Sequence, residues 1–189
     1  MENTERLSLE SLVLAPYLQK ATALRGVRRR VGGNQFRHQI ATLAILIDYH
    51  QVDPVLLKAS VIHDLLEDKP MDANLDELRR IDKDGGEVVA LMIEVSRSSN
   101  ETKREYLGRL RDHGSRKAKI LKLADRISNL TDLNSQEFTP QAMAGYIDET
   151  EEFIVPFAPE INENMATEIR DLIERRRRSL SSCGHLIAE

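Results

Sequence analysis

The sequence predicts an all-α fold, an irregular bundle of roughly eight to ten helices. Three observations carry this. Apolar residues recur at helical spacing along most of the chain, and strand-like alternation is absent. Gly and Pro fall singly or in short clusters between the periodic segments, as helix punctuation. Aromatic residues are only 4% of the 189 and Trp is missing, so Leu, Ile, Val and Ala must fill the core, which suits packed helices better than a β-sandwich.

The elements follow in order. A first helix is expected over about residues 8–24, with Leu9, Leu12, Val13 and Leu18 on its apolar stripe and Pro16 as a kink. Residues 26–34 are basic and Gly-bearing, hence a loop. A second helix covers about 35–50. Asp53 followed by Pro54 reads as an N-cap with Pro at the first helical position, and this third helix continues to Leu66 or Glu67 before Lys69-Pro70 ends it. Asn74 caps a short helix over 75–81, and Gly85-Gly86 precede one over 87–95. Asn100 is the expected cap of a helix to Asp112, and Ser115 of one to Leu133. Thr139-Pro140 start a helix to Phe157, and the last runs from Pro159 to Arg178.

Length and the lack of any linker or repeat predict one domain, residues 1–189. The 27 basic and 31 acidic side chains give a net charge of −4, which offers no global attraction for nucleic acid or an anionic membrane. A phosphorylated small molecule needs only a local cationic patch. The single cysteine, Cys183, allows no intramolecular disulfide and fits a reducing compartment. The first residues lack a basic segment followed by an apolar one, and no apolar run has the length of a membrane span. A cytoplasmic protein is expected, a monomer or small homo-oligomer without nucleic-acid or membrane partners.

The strongest local signal is His63-Asp64 in KASVIHDLLEDKP. Neighbours on a helix point about 100° apart, yet they converge on one ion if it sits near the helix end and other helices supply further ligands. His38 lies early on the preceding helix, and Asp125 on a much later one, in KLADRISNL. Two imidazoles and two carboxylates suit a borderline-to-hard divalent metal such as Mn²⁺, with Zn²⁺, Fe²⁺ or Co²⁺ as alternatives. Glu67 and Asp68 stand four residues after His63 and Asp64, one turn on along the expected helix. There they could orient a metal-held water, whose pKa falls to about 7, or take its proton. Asn129, four residues after Asp125, is placed to bond a sugar or phosphate oxygen. Arg28, Arg29 and Arg30 precede Gly32-Gly33, and arginine suits phosphate and planar base faces. Lys122 is a second candidate for phosphate.

An isolated His-Asp dipeptide is common; the ordered set RR, H, HDxxED and KLADRxxNL is specific. Over about residues 23–156, including YIDETEEFIVPFAP, it resembles the hydrolase domain of the RelA/SpoT-type alarmone enzymes. The length is similar to that of the stand-alone small alarmone hydrolases. The resemblance implies the helical HD-domain fold and removal of the 3′-pyrophosphate from guanosine tetra- or pentaphosphate, usually with one Mn²⁺. It implies metal ligation by His38, His63, Asp64 and Asp125, and water activation by Glu67 and Asp68. It further implies guanine contact by Arg29, a neighbouring basic position at Arg30, nucleotide binding by Asn129 and ligand contact by Tyr146. The sequence departs from the family where a Pro-Tyr pair often precedes the first His, here Asn34-Gln35-Phe36-Arg37. It also departs after Asp125, where Ser128 replaces His and Thr131-Asp132 replace Arg-Thr. An acid there would repel a polyphosphate.

Plainer readings stand beside these. His38 would be a core histidine bonded to a carbonyl, Asp125 an exposed partner of Lys122 or Arg126, and Glu67-Asp68 a solvated helix end. His50, His113 and His185 read as surface or packing residues, the run 175–178 as a solvated helix face, and Cys183 as an inert thiol. Two further functions remain open: an HD phosphohydrolase for another nucleotide or dinucleotide phosphate, and a nucleotide-sensing domain without turnover.

Overall fold

The structure is a computed structural model that describes residues 3–134 and 137–185, with side chains to residue 181. The readings of Cys183 and of the His185 side chain lie outside the described residues. Twelve α-helical segments and one 3-10 turn make an irregular all-α bundle, with no strand among the described residues. Their order is α1 (Asn3–Glu10), α2 (Ala15–Ala21), the 3-10 turn Thr22–Gly26, α3 (Gln35–Asp48), α4 (Pro54–Ser60), α5 (Leu65–Asp68) and α6 (Leu75–Arg79). Then come α7 (Gly85–Val95), α8 (Lys103–His113), α9 (Arg116–Asp132), α10 (Pro140–Phe153), α11 (Ala158–Ile161) and α12 (Glu163–His185).

Most starts follow local chemistry. The side chains of Asn34, Asp53, Asn74, Ser115 and Thr139 each accept from the backbone N–H three residues on, which satisfies a donor no helical carbonyl can reach. Four expectations are corrected. The helix expected over 8–24 is broken, because Pro16 has no N–H to continue it and instead opens α2. α8 is capped by Thr102, not Asn100: Thr102 and Glu105 bond each other's backbone N–H in a capping box. α10 ends at Phe153, and α12 starts beyond Asn162, whose side chain accepts from Met165 N at 3.0 Å.

The fourth correction bears on the site. The helix expected to run through His63 stops at Ser60 and resumes at Leu65. In an unbroken helix the Ser60 carbonyl would accept from the Asp64 N–H. Here it accepts from His63 Nδ1 at 2.7 Å, and Asp64 N donates to Gln39 Oε1 at 3.4 Å. His63 and Asp64 therefore sit in a tight turn rather than on the helical face from which Glu67 and Asp68 were expected to project.

The core is mostly aliphatic, with Tyr17, Tyr106, Phe153 and Phe157 among its few aromatics. α9 runs through it, packed by α3, α4, α7, α8, α11 and α12. Consecutive residues Leu123 to Ser128 are all buried, so α9 has no solvated face there. Polar groups buried on that stretch must find partners inside the protein. In the run 175–178 three arginines are exposed and Arg176 is half-buried, and the face is not only solvated: Arg176 donates to the Leu130 and Thr131 carbonyls at the end of α9, and Arg177 pairs with Asp148 and Glu151 of α10. No helix among the described residues is long and apolar enough to cross a membrane.

Candidate metal centre

His38 lies in the first turn of α3, His63 and Asp64 in the α4–α5 turn, and Asp125 in the middle of α9. Packing of α3 and α4 against α9 brings them together. One ligand-type atom each from His38, His63 and Asp125 lies within 4.8 Å of the others, and all three residues are buried. Asp64 stands just outside that tight set. Its two oxygens face the two imidazoles, Oδ1 at 3.4 Å from His63 Nε2 and Oδ2 at 3.7 Å from His38 Nε2.

The surrounding bonds aim these atoms. His63 Nδ1 donates to a carbonyl, which can only accept, so Nε2 carries the lone pair of the neutral ring. That Nε2 is buried with no hydrogen-bond partner among the described residues. His38 is held at Nδ1 by Ser128 Oγ at 2.9 Å, and its Nε2 lies 2.9 Å from Asp125 Oδ1. Asp125 also accepts from Asn129 Nδ2 at 2.6 Å through Oδ1 and pairs with Lys122 Nζ at 2.7 Å through Oδ2. Asp64 Oδ2 accepts from Gln39 Nε2 at 2.8 Å and Gln35 Nε2 at 3.3 Å.

Burial favours the neutral form of each group, but the charges present outweigh it at several. Desolvation opposes ionisation of Asp125, yet Lys122 and the two histidines hold its carboxyl well below the usual range. Desolvation likewise opposes a charged His63, yet Asp64 and Asp125 push its pKa up to about 9. Lys122 is raised above the ordinary lysine value, Asp125 outweighing burial.

Glu67 and Asp68 lie at the rim, open to solvent at their tips but crowded by protein on the inner side. Burial raises both above ordinary carboxylates. Glu67 Oε1 accepts from Arg97 N at 2.9 Å, and Asp68 Oδ2 from Gln35 Nε2 at 2.8 Å. Gln35 thus ties Asp64 to Asp68.

Two cavities open here, of about 270 and 280 Å³. The first is lined by His38, Asp64, Glu67 and Asp125 together with Arg97, Lys103, Lys122 and Arg126. The second is lined by Arg28, Arg29, Arg30, Asp68, Leu133 and Phe138. Gln35, Asn129 and Tyr146 line both, so they are neighbouring chambers with a shared wall. The basic loop is shaped by Gly32 and Gly33, whose positive φ (88° and 71°) lets the chain fold back so that Gln35 N reaches Val27 O at 2.9 Å. Arg30 lies over the Phe138 ring at 5.0 Å. Arg29 donates to Asp132 and, at 2.8 Å, to Asn129 Oδ1. Tyr146 is stacked by Arg126 at 4.3 Å, and Arg126 is otherwise held by Glu149 and Thr150.

The candidate metal, catalytic and substrate-binding residues are thus at or beside these two neighbouring cavities. Sequence reasoning passed over Gln39, Arg97 and Lys103, met Arg126 only as a surface partner of Asp125, and met Gln35 and Ser128 only as departures. Gln35 and Gln39 flank His38 on one face of α3, a spacing that was available to find them. His50 and His113 are exposed and distant from these cavities' linings.

A solved structure of a metazoan ortholog of SpoT, described as hydrolysing ppGpp and playing a role in starvation responses, matches this fold with a TM-score of 0.74. Sequence identity is 23%, over 86% of this chain and 94% of that one. No family model matches the chain, and no curated protein does. The likeness establishes a shared all-α fold.

Proposed function

We propose that this chain is a divalent-metal-dependent phosphohydrolase that removes the 3′-pyrophosphate of guanosine tetra- or pentaphosphate, giving GDP or GTP. The observation that carries the reading is His63 Nε2, buried without a hydrogen-bond partner beside a second imidazole nitrogen and a carboxylate oxygen. A lone pair enclosed in this way is costly unless a proton or a cation meets it. The fold shared with a ppGpp hydrolase supports the substrate class.

The residues fit a borderline-to-hard divalent ion, and we assign Mn²⁺. His38 and His63 would offer Nε2, Asp125 Oδ1, and Asp64 the fourth ligand. When bound, the ion supplies Lewis acidity, polarising a phosphoryl oxygen and making water acidic near neutral pH. The Ser60 carbonyl, which can only accept, fixes the His63 tautomer that presents Nε2, and the Ser128 hydroxyl can accept from His38 Nδ1 so that its Nε2 would be freed for the ion. Lys122 keeps Asp125 ionised.

Glu67 and Asp68 orient the attacking water and accept its proton. Their raised pKa values bring them nearer neutrality, which makes them better bases than ordinary carboxylates. Water oxygen bonds to the phosphorus, the bond from that phosphorus to the 3′ oxygen breaks, and that oxygen leaves as a hydroxyl by taking up the proton Glu67 or Asp68 received, so the products are pyrophosphate and GDP or GTP. Arg28, Arg30 and Phe138 line the chamber assigned to the base, with Arg29 on its wall. Arg97, Lys103 and Lys122 surround the chamber assigned to the phosphates, with Asn129 and Tyr146 between the two.

Release of pyrophosphate from guanosine tetraphosphate by Mn²⁺-loaded protein tests this, with Asp64→Ala as control. Release no greater than the control's defeats it. A second reading, another nucleotide phosphate as substrate, is favoured by the Asp132 carboxylate that offsets the Arg29 charge. A panel of nucleoside monophosphates, cyclic dinucleotides and nicotinamide-dinucleotide phosphates distinguishes the two.

A further inference from the structure

We infer that Asp132 is a positioning residue for the metal centre, acting on Asp125 through Arg29 and Asn129. This rests on the metal-site reading above.

Asp132 ends α9, two turns beyond Asp125. An acid in the last turn opposes the helix macrodipole, so the position is unfavourable without a cation. Two cations meet it: Arg176, which donates to the Leu130 and Thr131 carbonyls and feels the Asp132 charge, and Arg29, from the loop before α3, which donates to Asp132 Oδ2. The same guanidinium donates through its other terminal nitrogen to Asn129 Oδ1 at 2.8 Å. Asn129 Nδ2 in turn donates to Asp125 Oδ1 at 2.6 Å, the oxygen that also faces His38 Nε2.

The chemistry of the partners allows only one arrangement. A carboxylate accepts and a guanidinium donates. The Asn129 amide must therefore present nitrogen to Asp125 and oxygen to Arg29. With Arg29 displaced, no other group among the described residues bonds Asn129 Oδ1, and the amide is then free to turn away from Asp125 Oδ1. Arg29 is carried by a loop that bends at two glycines, so helix geometry alone does not fix its guanidinium. Asp132 and Asn129 hold it, and the Arg29 side chain is only 13% exposed. The acid that would repel a polyphosphate is turned away from that role by its pairing.

A mere tether for the loop would lower thermal stability and leave the metal site unchanged. The distinguishing readout is Mn²⁺ affinity of the full chain without substrate, from the EPR signal of free Mn²⁺. Outer-shell partners of metal ligands are typically worth about 10–100-fold in affinity; Asp132→Ala should weaken Mn²⁺ binding about 10-fold, the low end, because it acts through two others. Asp132→Glu should restore most of the affinity and Asp132→Asn should fall between. In an Asn129→Ala background, Asp132→Ala should have no further effect. Affinity within about twofold of wild type in Asp132→Ala, or an equal loss in both backgrounds, overturns the inference. Should Asp132→Ala not fold, Asp132→Asn is judged by the same two criteria. Wild-type protein that binds no Mn²⁺ defeats the metal reading itself; wild type that binds and hydrolyses while Asp132 variants bind equally well defeats only this step.

Discussion

Replacing Asp125 by Ala should destabilise the protein itself, apart from any loss of metal. Lys122 Nζ lies 2.7 Å from Asp125 Oδ2 with its side chain only 16% exposed, and no other carboxylate pairs with it among the described residues. Truncation leaves an ammonium largely shielded from water, with Asn129 Nδ2 and His38 Nε2 facing the same gap. Removing one partner of a buried ion pair typically costs about 3–5 kcal/mol. For a chain of this size each kcal/mol shifts the melting temperature by about 2–4 °C, so the expected fall is roughly 6–20 °C. Lys122→Met in the same background should recover much of it, because the stranded charge is gone. Urea melts of EDTA-treated wild type, both single variants and the double variant measure the coupling directly. A cost below about 1 kcal/mol for Asp125→Ala, or no recovery in the double variant, would refute the argument that these two charges depend on each other.

Three further outcomes follow. His63→Ala should lower the stability of metal-free protein below about pH 9, because the buried ring loses its Nδ1 bond to the Ser60 carbonyl and its attraction to Asp64 and Asp125, and it should also abolish the rise in melting temperature that Mn²⁺ gives wild type; calorimetry with and without the ion reads both. Ser128→Ala should weaken Mn²⁺ binding by about 10–100-fold by freeing the His38 ring, with turnover at saturating metal largely retained, as titration of activity against Mn²⁺ will show. His63, raised from 6.5 to about 9 in the folded chain, contributes stability that is fully present below pH 6.5 and is lost as pH rises through about 9. Because the ion needs the neutral ring, apparent metal affinity should climb over that same window and flatten above it. Isothermal titration at stepped pH checks this, and a pH-independent affinity would count against it.

Much of the architecture was legible because it is written in short-range chemistry. Asn34, Asp53, Asn74, Ser115 and Thr139 are short polar residues before periodic runs, and each caps the helix it precedes. Thr102 was equally legible through Glu105 three residues on, and choosing Asn100 overlooked a capping box in plain view. The break at the α4–α5 turn was not legible. It depends on Gln39, a residue of another helix, taking the Asp64 N–H while His63 takes the Ser60 carbonyl. A linear pattern contains no trace of that exchange.

The site divides the same way. His38, His63, Asp64 and Asp125 were found because imidazoles and carboxylates in a fixed order are rare enough to notice. Of the amides and hydroxyls that aim them, Gln35 and Gln39 are marked only by their helical spacing from His38, and Ser128, a residue type found throughout any polar surface, only by its contact. Asp132 was visible only as a departure that should disfavour phosphate. Its pairing with Arg29, about a hundred positions earlier in the chain, gives the acid a partner within the protein, and only the fold brings the two together.

The central claim is that one cation is shared by α3, the α4–α5 turn and α9. The most direct test is an anomalous difference map from a crystal of this protein grown with Mn²⁺. The account predicts one strong peak within bonding distance of the Nε2 atoms of His38 and His63 and of Asp125 Oδ1. A map with no peak there, while the protein still turns over a nucleotide, would contradict it.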